Sequence, residues 1–328
     1  MLRVPAMKNR TVLVVYNPAA HHLRLLARLP EETHIVTGQT VEALAAAAPS
    51  ASVVLTGGTY RGVLEQLWPS LRQVEWVHSL AAGLEGLLFP ALVESNVLLT
   101  NSAGVFARSL GEFAIAGMLH FAKDVRRMLR QQAAHQWEPF DIDELHGRTL
   151  GIVGYGGIGR AAAERARAFG MKIHALRRRP ELADGDPLVD RNYSFHQLPD
   201  LLAHSDYLLV SAPLTEETRG LLGAPQLALL PPNAVVINLG RGPVIDENAL
   251  IRVLREGRIR GAVLDVFDTE PLPSGHPFYA MENVLLSPHT ADRTATFMDE
   301  AVELFLDNYG RFLDGEPLQN VANKKAGY

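Results

Sequence analysis

The sequence predicts an α/β protein made of two parallel-sheet domains, and three observations carry that expectation. Its 328 residues exceed what one hydrophobic core organises, so two domains is the natural division. Residues 11 to 100 alternate short β-branched runs with helix-forming stretches, the order of strands in a parallel sheet covered on both faces. Later runs such as Ala234-Val235-Val236-Ile237-Asn238-Leu239 are nearly all apolar, as strands buried on both faces must be.

In the first third, strands are expected at Thr11–Tyr16, Thr33–Thr37, Ser52–Thr56, Val74–Ser79 and Val97–Thr100. Helices are expected over Ala20–Leu29, Val41–Ala48 and Val63–Trp68. Two loops at strand ends stand out, Thr56-Gly57-Gly58-Thr59-Tyr60 and Ser79-Leu80-Ala81-Ala82-Gly83. Open α/β sheets bind ligands at the carboxyl ends of their strands, although glycines there serve plain turns equally well. From Val105 to about Ala134 a broad apolar stripe predicts one long helix that bridges the domains.

The second half is organised around Gly151-Ile152-Val153-Gly154-Tyr155-Gly156-Gly157-Ile158-Gly159-Arg160. It follows Thr149-Leu150 and leads into helix formers closed by Gly170, the strand–glycine–helix context that gives a G-x-G-x-x-G its meaning. Gly154 permits the tight turn, Gly156 lets backbone approach a pyrophosphate, and Gly159 lets helix and strand pack closely. The helix N-terminus adds unpaired N–H groups and a positive dipole end. A second strand over Met171–Leu176 follows on time, which favours a dinucleotide site over a bare turn. A site that prefers NAD places Asp or Glu at the end of that strand. Here the position holds Arg177, then Arg178 and Arg179, with no acid before Glu181. Arginine binds a 2′-phosphate through charge-assisted hydrogen bonds, so NADP(H) is expected over NAD(H), against the alternative of a solvated basic turn.

Further strands are expected at Tyr207–Val210, ending in Ser211-Ala212-Pro213, and at Ala234–Leu239, ending in Gly240-Arg241-Gly242. Asp246 caps a helix through Glu256, with Gly257 as its stop. Gly261–Phe267 and Val284–Leu286 are strands, the latter ending in Ser287-Pro288-His289, and residues 294 to 313 form a closing helix. Three strands thus lead to Arg241, Glu270 and His289, and parallel strands bring their carboxyl ends to one edge. Arg offers a planar fork for a carboxylate. His moves a proton near neutral pH, and a Glu beside it raises its pKa. Singly each reads equally as a loop residue; together they point to a site.

Composition narrows the alternatives. A formal charge of −5 offers no electrostatic case for nucleic acid or an anionic membrane. The absence of cysteine removes disulfides, thiolate metal sites and a cysteine nucleophile, and no metal is expected. The first ten residues lack an apolar core, and the most apolar segment, Leu80 to Val93, contains Glu85 and Pro90. A cytoplasmic protein away from membranes is the expectation.

Gly154–Gly159, Asn238-Leu239-Gly240-Arg241-Gly242, the run Gly261 to Leu272 and Ser287-Pro288-His289 resemble the signature set of the D-isomer-specific 2-hydroxyacid dehydrogenases. The likeness runs from about Val74 to the C-terminus. It implies two Rossmann-like or flavodoxin-like domains with a cleft between them. Residues 1–103 plus 292–328 would form the substrate domain and 104–291 the cofactor domain, with hinges near Asn101–Gly104 and Thr290–Arg293. The resemblance puts the catalytic residues at Arg241, Glu270 and His289. Substrate contacts fall at Ala81, Ala82, Gly83 and Arg241. Cofactor contacts fall at Gly154, Gly156, Gly157, Ile158, Gly159, Arg177, Arg178, Ala212, Pro213, Thr218, Leu239 and Asp265. Asp265 orients the nicotinamide carboxamide in this reading, or else braces its strand end.

The implied reaction is hydride transfer from a nicotinamide to a small 2-oxo acid, with His289 supplying the proton and Arg241 clamping the carboxylate. A homodimer through the cofactor domains is the family's usual assembly, and glyoxylate or hydroxypyruvate is the first substrate expectation. Two features depart from the family pattern: Asp292 follows the histidine closely, and Thr59-Tyr60 lies in a first-domain strand-end loop. A phosphite-type dehydrogenase and a nicotinamide-sensing corepressor on the same fold are the alternatives.

Overall fold

A computed structural model describes residues 10–178 and 185–327. The chain divides into two compact units, one running to Val105 and resuming at Ala295, the other spanning Phe106–Thr294.

The first unit holds β1 (Thr11–Val15), β2 (His34–Gly38), β3 (Ala51–Thr56), β4 (Trp76–Ser79) and β5 (Leu98–Asn101). All pair in parallel in the order β2-β1-β3-β4-β5, the flavodoxin-like arrangement that reverses direction between β1 and β3. Every residue of β1 and β3 is buried, which is why these strands read as unbroken apolar runs. Leu13, Val54, Val77 and Leu99 pack on one face with Leu64 and Leu92. Phe305 of the C-terminal helix Phe297–Asp314 stacks on Trp76 at a centroid distance of 5.3 Å. The chain then returns along the sheet edge, where the Ala322 N–H donates to the Leu99 carbonyl at 2.8 Å.

The second unit holds β6 (Thr149–Val153), β7 (Lys172–Leu176), β8 (Arg191–Tyr193), β9 (Tyr207–Val210), β10 (Val235–Asn238), β11 (Gly261–Leu264) and β12 (Val284–Leu286). Their order, β12-β11-β10-β9-β6-β7-β8, is the doubly wound nucleotide-binding arrangement extended by one strand. Direction reverses between β6 and β9, so the glycine turn after β6 and the Ser211-Ala212-Pro213 loop after β9 flank the switch point. Among the described residues no helix is long and apolar enough to cross a membrane, and no group of three metal-ligating side chains forms.

Several elements differ from expectation. The long helix is two helices, Ala107–Ala122 and Val125–Ala133, because Asp124 adopts φ 47° and its carboxylate caps the second by accepting the Arg127 N–H. Both lie within the second unit rather than bridging the two. The first packs so closely on Gly157–Ala168 that a Cβ at Gly111 would meet the Ala161 carbonyl carbon at 2.9 Å. Ala20–Leu29 becomes a 3-10 segment, His21–Arg28. Strand β8 was not expected, since a three-residue Arg-Asn-Tyr edge strand carries no apolar run.

Candidate active site

The glycine turn forms as its residue types require. Gly154 takes φ 97°, and a Cβ there would lie 2.4 Å from the Ala212 nitrogen, so the turn sits directly against the β9 exit loop. Ser211 fastens the pair by donating its hydroxyl to the Gly154 carbonyl at 2.9 Å. Gly156 behaves differently: a Cβ there would meet no atom within 4 Å. The open space in front of Gly156, at the start of the twelve-residue helix Gly157–Ala168, is the cradle a pyrophosphate needs, so these residues fit a dinucleotide. Gly157, Ile158 and Gly159 form the first turn of that helix.

Beside this turn lies an open cavity of about 580 Å³ whose lining includes Gly156, Arg177 and Asp186. Arg177 is half-buried at the end of β7, while Arg178 is exposed and lies 3.6 Å from Glu217. Arg179 and Glu181 fall outside the described residues. On the other flank, Ala212 is buried and Thr218 directs its hydroxyl to the Pro213 carbonyl at 2.6 Å. Thr218 therefore shapes its own loop. Leu239 is buried at the end of β10.

Glu270 and His289 come together in the second unit, and the Arg241 loop packs on the same β11 exit, with Nη1 of Arg241 donating to the Gly240 carbonyl at 2.8 Å. Gly242 approaches the β11 exit so tightly that a Cβ would fall 2.0 Å from the Phe267 carbonyl carbon; only glycine lets the Arg241 loop lie there. Asn238 steadies that loop, donating to the Arg241 carbonyl at 3.1 Å while accepting the Gly240 N–H at 3.1 Å. The Phe267 N–H in turn donates to Oε1 of Glu270 at 2.9 Å, and Oε2 of Glu270 lies 2.6 Å from Nδ1 of His289. Both side chains of this pair stay about one-third or more exposed, at 34% for Glu270 and 42% for His289, so substrate can reach them. With Nδ1 engaged, Nε2 is the ring nitrogen left for proton transfer.

His289 sits at φ 52°, a left-handed conformation that a non-glycine residue rarely holds without support. Buried Asp265 provides it: Oδ1 accepts the N–H groups of Thr290 and Ala291 at 2.9 and 3.2 Å. Asp265 therefore braces the loop that carries His289. Asp292 is half-buried next to this loop, and its carboxyl is pushed above the ordinary range by burial, with Asp265 adding to the rise and His289 opposing it.

In the first unit, Ala81, Ala82 and Gly83 follow β4. Ser102 and Asn101 hold this loop by donating to the Ala81 and Ala82 carbonyls at 3.2 and 2.6 Å. Tyr60 packs against Tyr16 at a centroid distance of 5.0 Å and accepts the Asn17 N–H at 3.1 Å, which places it at the β1/β3 switch point.

Sequence reasoning missed two clusters. His276 and Glu247 form a second His–carboxylate pair at 3.1 Å, and Glu247 also accepts the Asp268 N–H at 3.2 Å, steadying the loop that carries Glu270. Asp186 gathers Tyr155 and Arg160 beside the glycine turn. Neither grouping has a spacing signal, because its members lie on different elements; only the adjacency of Arg160 to the last glycine of the motif hinted at the second.

Known proteins are similar to this chain in sequence and in fold. Residues 115–291 match the family described as "D-isomer specific 2-hydroxyacid dehydrogenase, NAD binding domain". A glyoxylate/hydroxypyruvate reductase B of Yersinia pestis is 32% identical over 326 residues, covering 97% of this chain and 98% of that protein. A glyoxylate reductase of Aeropyrum pernix is 34% identical over 265 residues, 76% of each chain. Among solved structures, a D-isomer specific 2-hydroxyacid dehydrogenase from Xanthobacter autotrophicus in complex with NADPH and MES superposes with a TM-score of 0.81 at 28% identity, covering 98% of this chain and all of that one. An NADPH-dependent glyoxylate/hydroxypyruvate reductase from Sinorhizobium meliloti in complex with NADP and sulfate gives a TM-score of 0.83 at 25% identity, covering 98% and 100%. Motifs, sheet order and these matches agree: the chain belongs to the D-isomer specific 2-hydroxyacid dehydrogenase family and is an NAD(P)-dependent oxidoreductase of 2-oxo acids.

Proposed function

We propose that this enzyme is an NADPH-preferring reductase of small 2-oxo acids, glyoxylate and hydroxypyruvate first among them, with Arg241, Glu270 and His289 as its catalytic residues. The observation that carries this is the 2.6 Å contact between His289 and Glu270 on a loop braced by Asp265. Glu270 fixes the orientation of the imidazole, so that Nε2 delivers a proton to the carbonyl oxygen in reduction and removes it in oxidation. Arg241 holds the substrate carboxylate and stabilises the charge that builds on the carbonyl oxygen. The nicotinamide supplies the hydride. The glycine turn, Ala212 and Pro213 hold the dinucleotide, and the N–H groups of the Ala81–Gly83 loop belong to substrate binding. Residues 1–103 with 292–328 form the substrate domain in this reading, and 104–291 the cofactor domain.

The NADPH preference rests on Arg177, half-buried at the end of β7 where an NAD-preferring site carries an acid. The relatives known as glyoxylate/hydroxypyruvate reductases, one of them NADPH-dependent, support both substrate and cofactor, and favour catalysis over a sensor role. Steady-state turnover of glyoxylate, hydroxypyruvate, pyruvate and bulkier 2-oxo acids with each reduced cofactor tests it. Higher kcat/KM with NADH, or no turnover of any 2-oxo acid, overturns it.

A homodimer in the cytoplasm completes the reading. Trp137 is 96% exposed and Leu129 58%, with Met128 and Ile142 nearby in sequence, an apolar set that a second copy would cover. Converting Leu129 and Trp137 to Glu should shift the sedimentation of the protein from dimer to monomer, and an unchanged profile argues against this contact.

A further inference from the structure

The dinucleotide pocket contains a carboxylate, an unexpected group where phosphates are to bind. Asp186 lies in the cavity beside the glycine turn together with Tyr155, Gly157, Arg160, Arg177 and Pro187. Its Oδ2 accepts from Nη1 of Arg160 at 2.6 Å and from the Tyr155 hydroxyl at 3.1 Å, and its Oδ1 accepts the Leu188 N–H at 3.1 Å. The Asp186 side chain is only 15% exposed, whereas Arg160 is 56% exposed. Tyr155 lies between the first two glycines of the turn and Arg160 immediately after the last. One carboxylate therefore ties the chain beyond β7 to the two residues that frame the phosphate cradle.

The charges decide what this does. Among the described residues lining the cavity, Arg160 and Arg177 are positive and Asp186 is negative. Left alone, Asp186 would repel a 2′-phosphate; left alone, Arg160 would add a second cation beside Arg177. Paired, the two cancel. We propose that the Arg160–Asp186 ion pair is a specificity-determining element of the adenosine end of the pocket, which holds Arg160 neutralised and leaves Arg177 to set the preference for the phosphorylated dinucleotide. Burial pushes the Asp186 carboxyl up, but the bonds from Leu188, Tyr155 and Arg160 outweigh it and bring it below the usual range, so the group is charged at neutral pH. The Tyr155 hydroxyl, pushed up to about 12 by burial and by Asp186, remains a donor throughout.

The inference rests on the cofactor reading above, and its test is a double-mutant cycle read by equilibrium binding rather than turnover. Dissociation constants for NADPH and NADH are measured by fluorescence titration on the wild type, Asp186→Asn, Arg160→Gln and the double variant. Asp186→Asn releases a cation and should tighten NADPH about fivefold, Arg160→Gln leaves a bare carboxylate and should weaken it about fivefold, and the double variant should return to within about twofold of wild type. NADH, without the 2′-phosphate, should move by less than about twofold throughout, and raising the salt concentration should shrink the NADPH differences. Parallel weakening of both dinucleotides in both single variants would show a mere brace and overturn the proposal, as would a double variant weaker than either single. If the wild type itself binds NADH more tightly, the cofactor reading fails. The ion-pair proposal is then still decided by whether the ratio of the two constants rises in one single variant and falls in the other.

Discussion

Oε2 of Glu270 lies 2.6 Å from Nδ1 of His289, while the other carboxylate oxygen takes the Phe267 N–H at 2.9 Å. The carboxylate is thus fixed at both ends, and it fixes the imidazole in turn. Glu270→Gln keeps the shape but removes the charge that faces the imidazole. Reduction by this variant should lose about 10- to 100-fold in kcat, while His289→Asn should lose about 10²- to 10⁴-fold. A kcat for Glu270→Gln equal to that of the wild type would remove Glu270 from the mechanism.

Arg241 lies on a loop whose backbone is held by Asn238, and its own Nη1 donates to the Gly240 carbonyl at 2.8 Å. Arg241→Lys keeps the charge but loses the planar fork. The KM for the 2-oxo acid should rise by about tenfold or more and kcat should fall, with NADPH affinity unchanged. An equal loss in NADPH binding, measured by titration, would mean that the residue serves the cofactor instead.

Gly154 and Gly156 should separate folding from binding. Gly154→Ala forces a side chain into a left-handed turn and onto the Ala212 nitrogen, 2.4 Å away. It should cost at least about 2 kcal/mol of stability by chemical denaturation. Gly156→Ala meets nothing in the protein, so its denaturation midpoint should stay near wild type while dinucleotide affinity drops about tenfold, because the methyl occupies the cradle. Normal binding by Gly156→Ala would place the pyrophosphate elsewhere.

His78 on β4 is fully buried, with Nδ1 2.7 Å from the Thr100 hydroxyl and Nε2 without a partner. Burial drives its pKa from 6.5 down to about 3. Between those values the unfolded chain binds a proton that the native state refuses, so stability falls as pH drops below about 6.5, by up to about 1.4 kcal/mol per pH unit from this group. Asn cannot titrate, so His78→Asn should flatten the pH dependence of the urea midpoint between about pH 6 and pH 4. An unaltered slope would assign the acid sensitivity to other groups, His22, His120 and His174 among them, which burial also lowers.

Much of the fold and of the site was legible from residue order alone. The strands at Thr11, Ser52, Tyr207, Val235 and Gly261 announce themselves because burial on both faces leaves no polar alternation. The glycine turn does so because few other residues tolerate its backbone. Arg241, Glu270 and His289 were singled out because parallel strands bring their carboxyl ends to one edge, and the structure pairs two of them, Glu270 and His289. The break at Asp124 was hidden, since an apolar stripe continues across it and a single left-handed residue has no periodicity.

Local chemistry, then, was determined by the sequence itself: which segments are buried strands, where backbone must turn tightly, and which side chains can move protons or hold a carboxylate. Only the tertiary structure decided the partnerships among distant residues. Asp265 bracing the His289 loop, Glu247 with His276, and Asp186 with Arg160 and Tyr155 are contacts between separate elements. Their physical reason is packing: a charged group taken out of water must find its donors wherever the folded chain happens to bring them, and sequence distance carries no record of that.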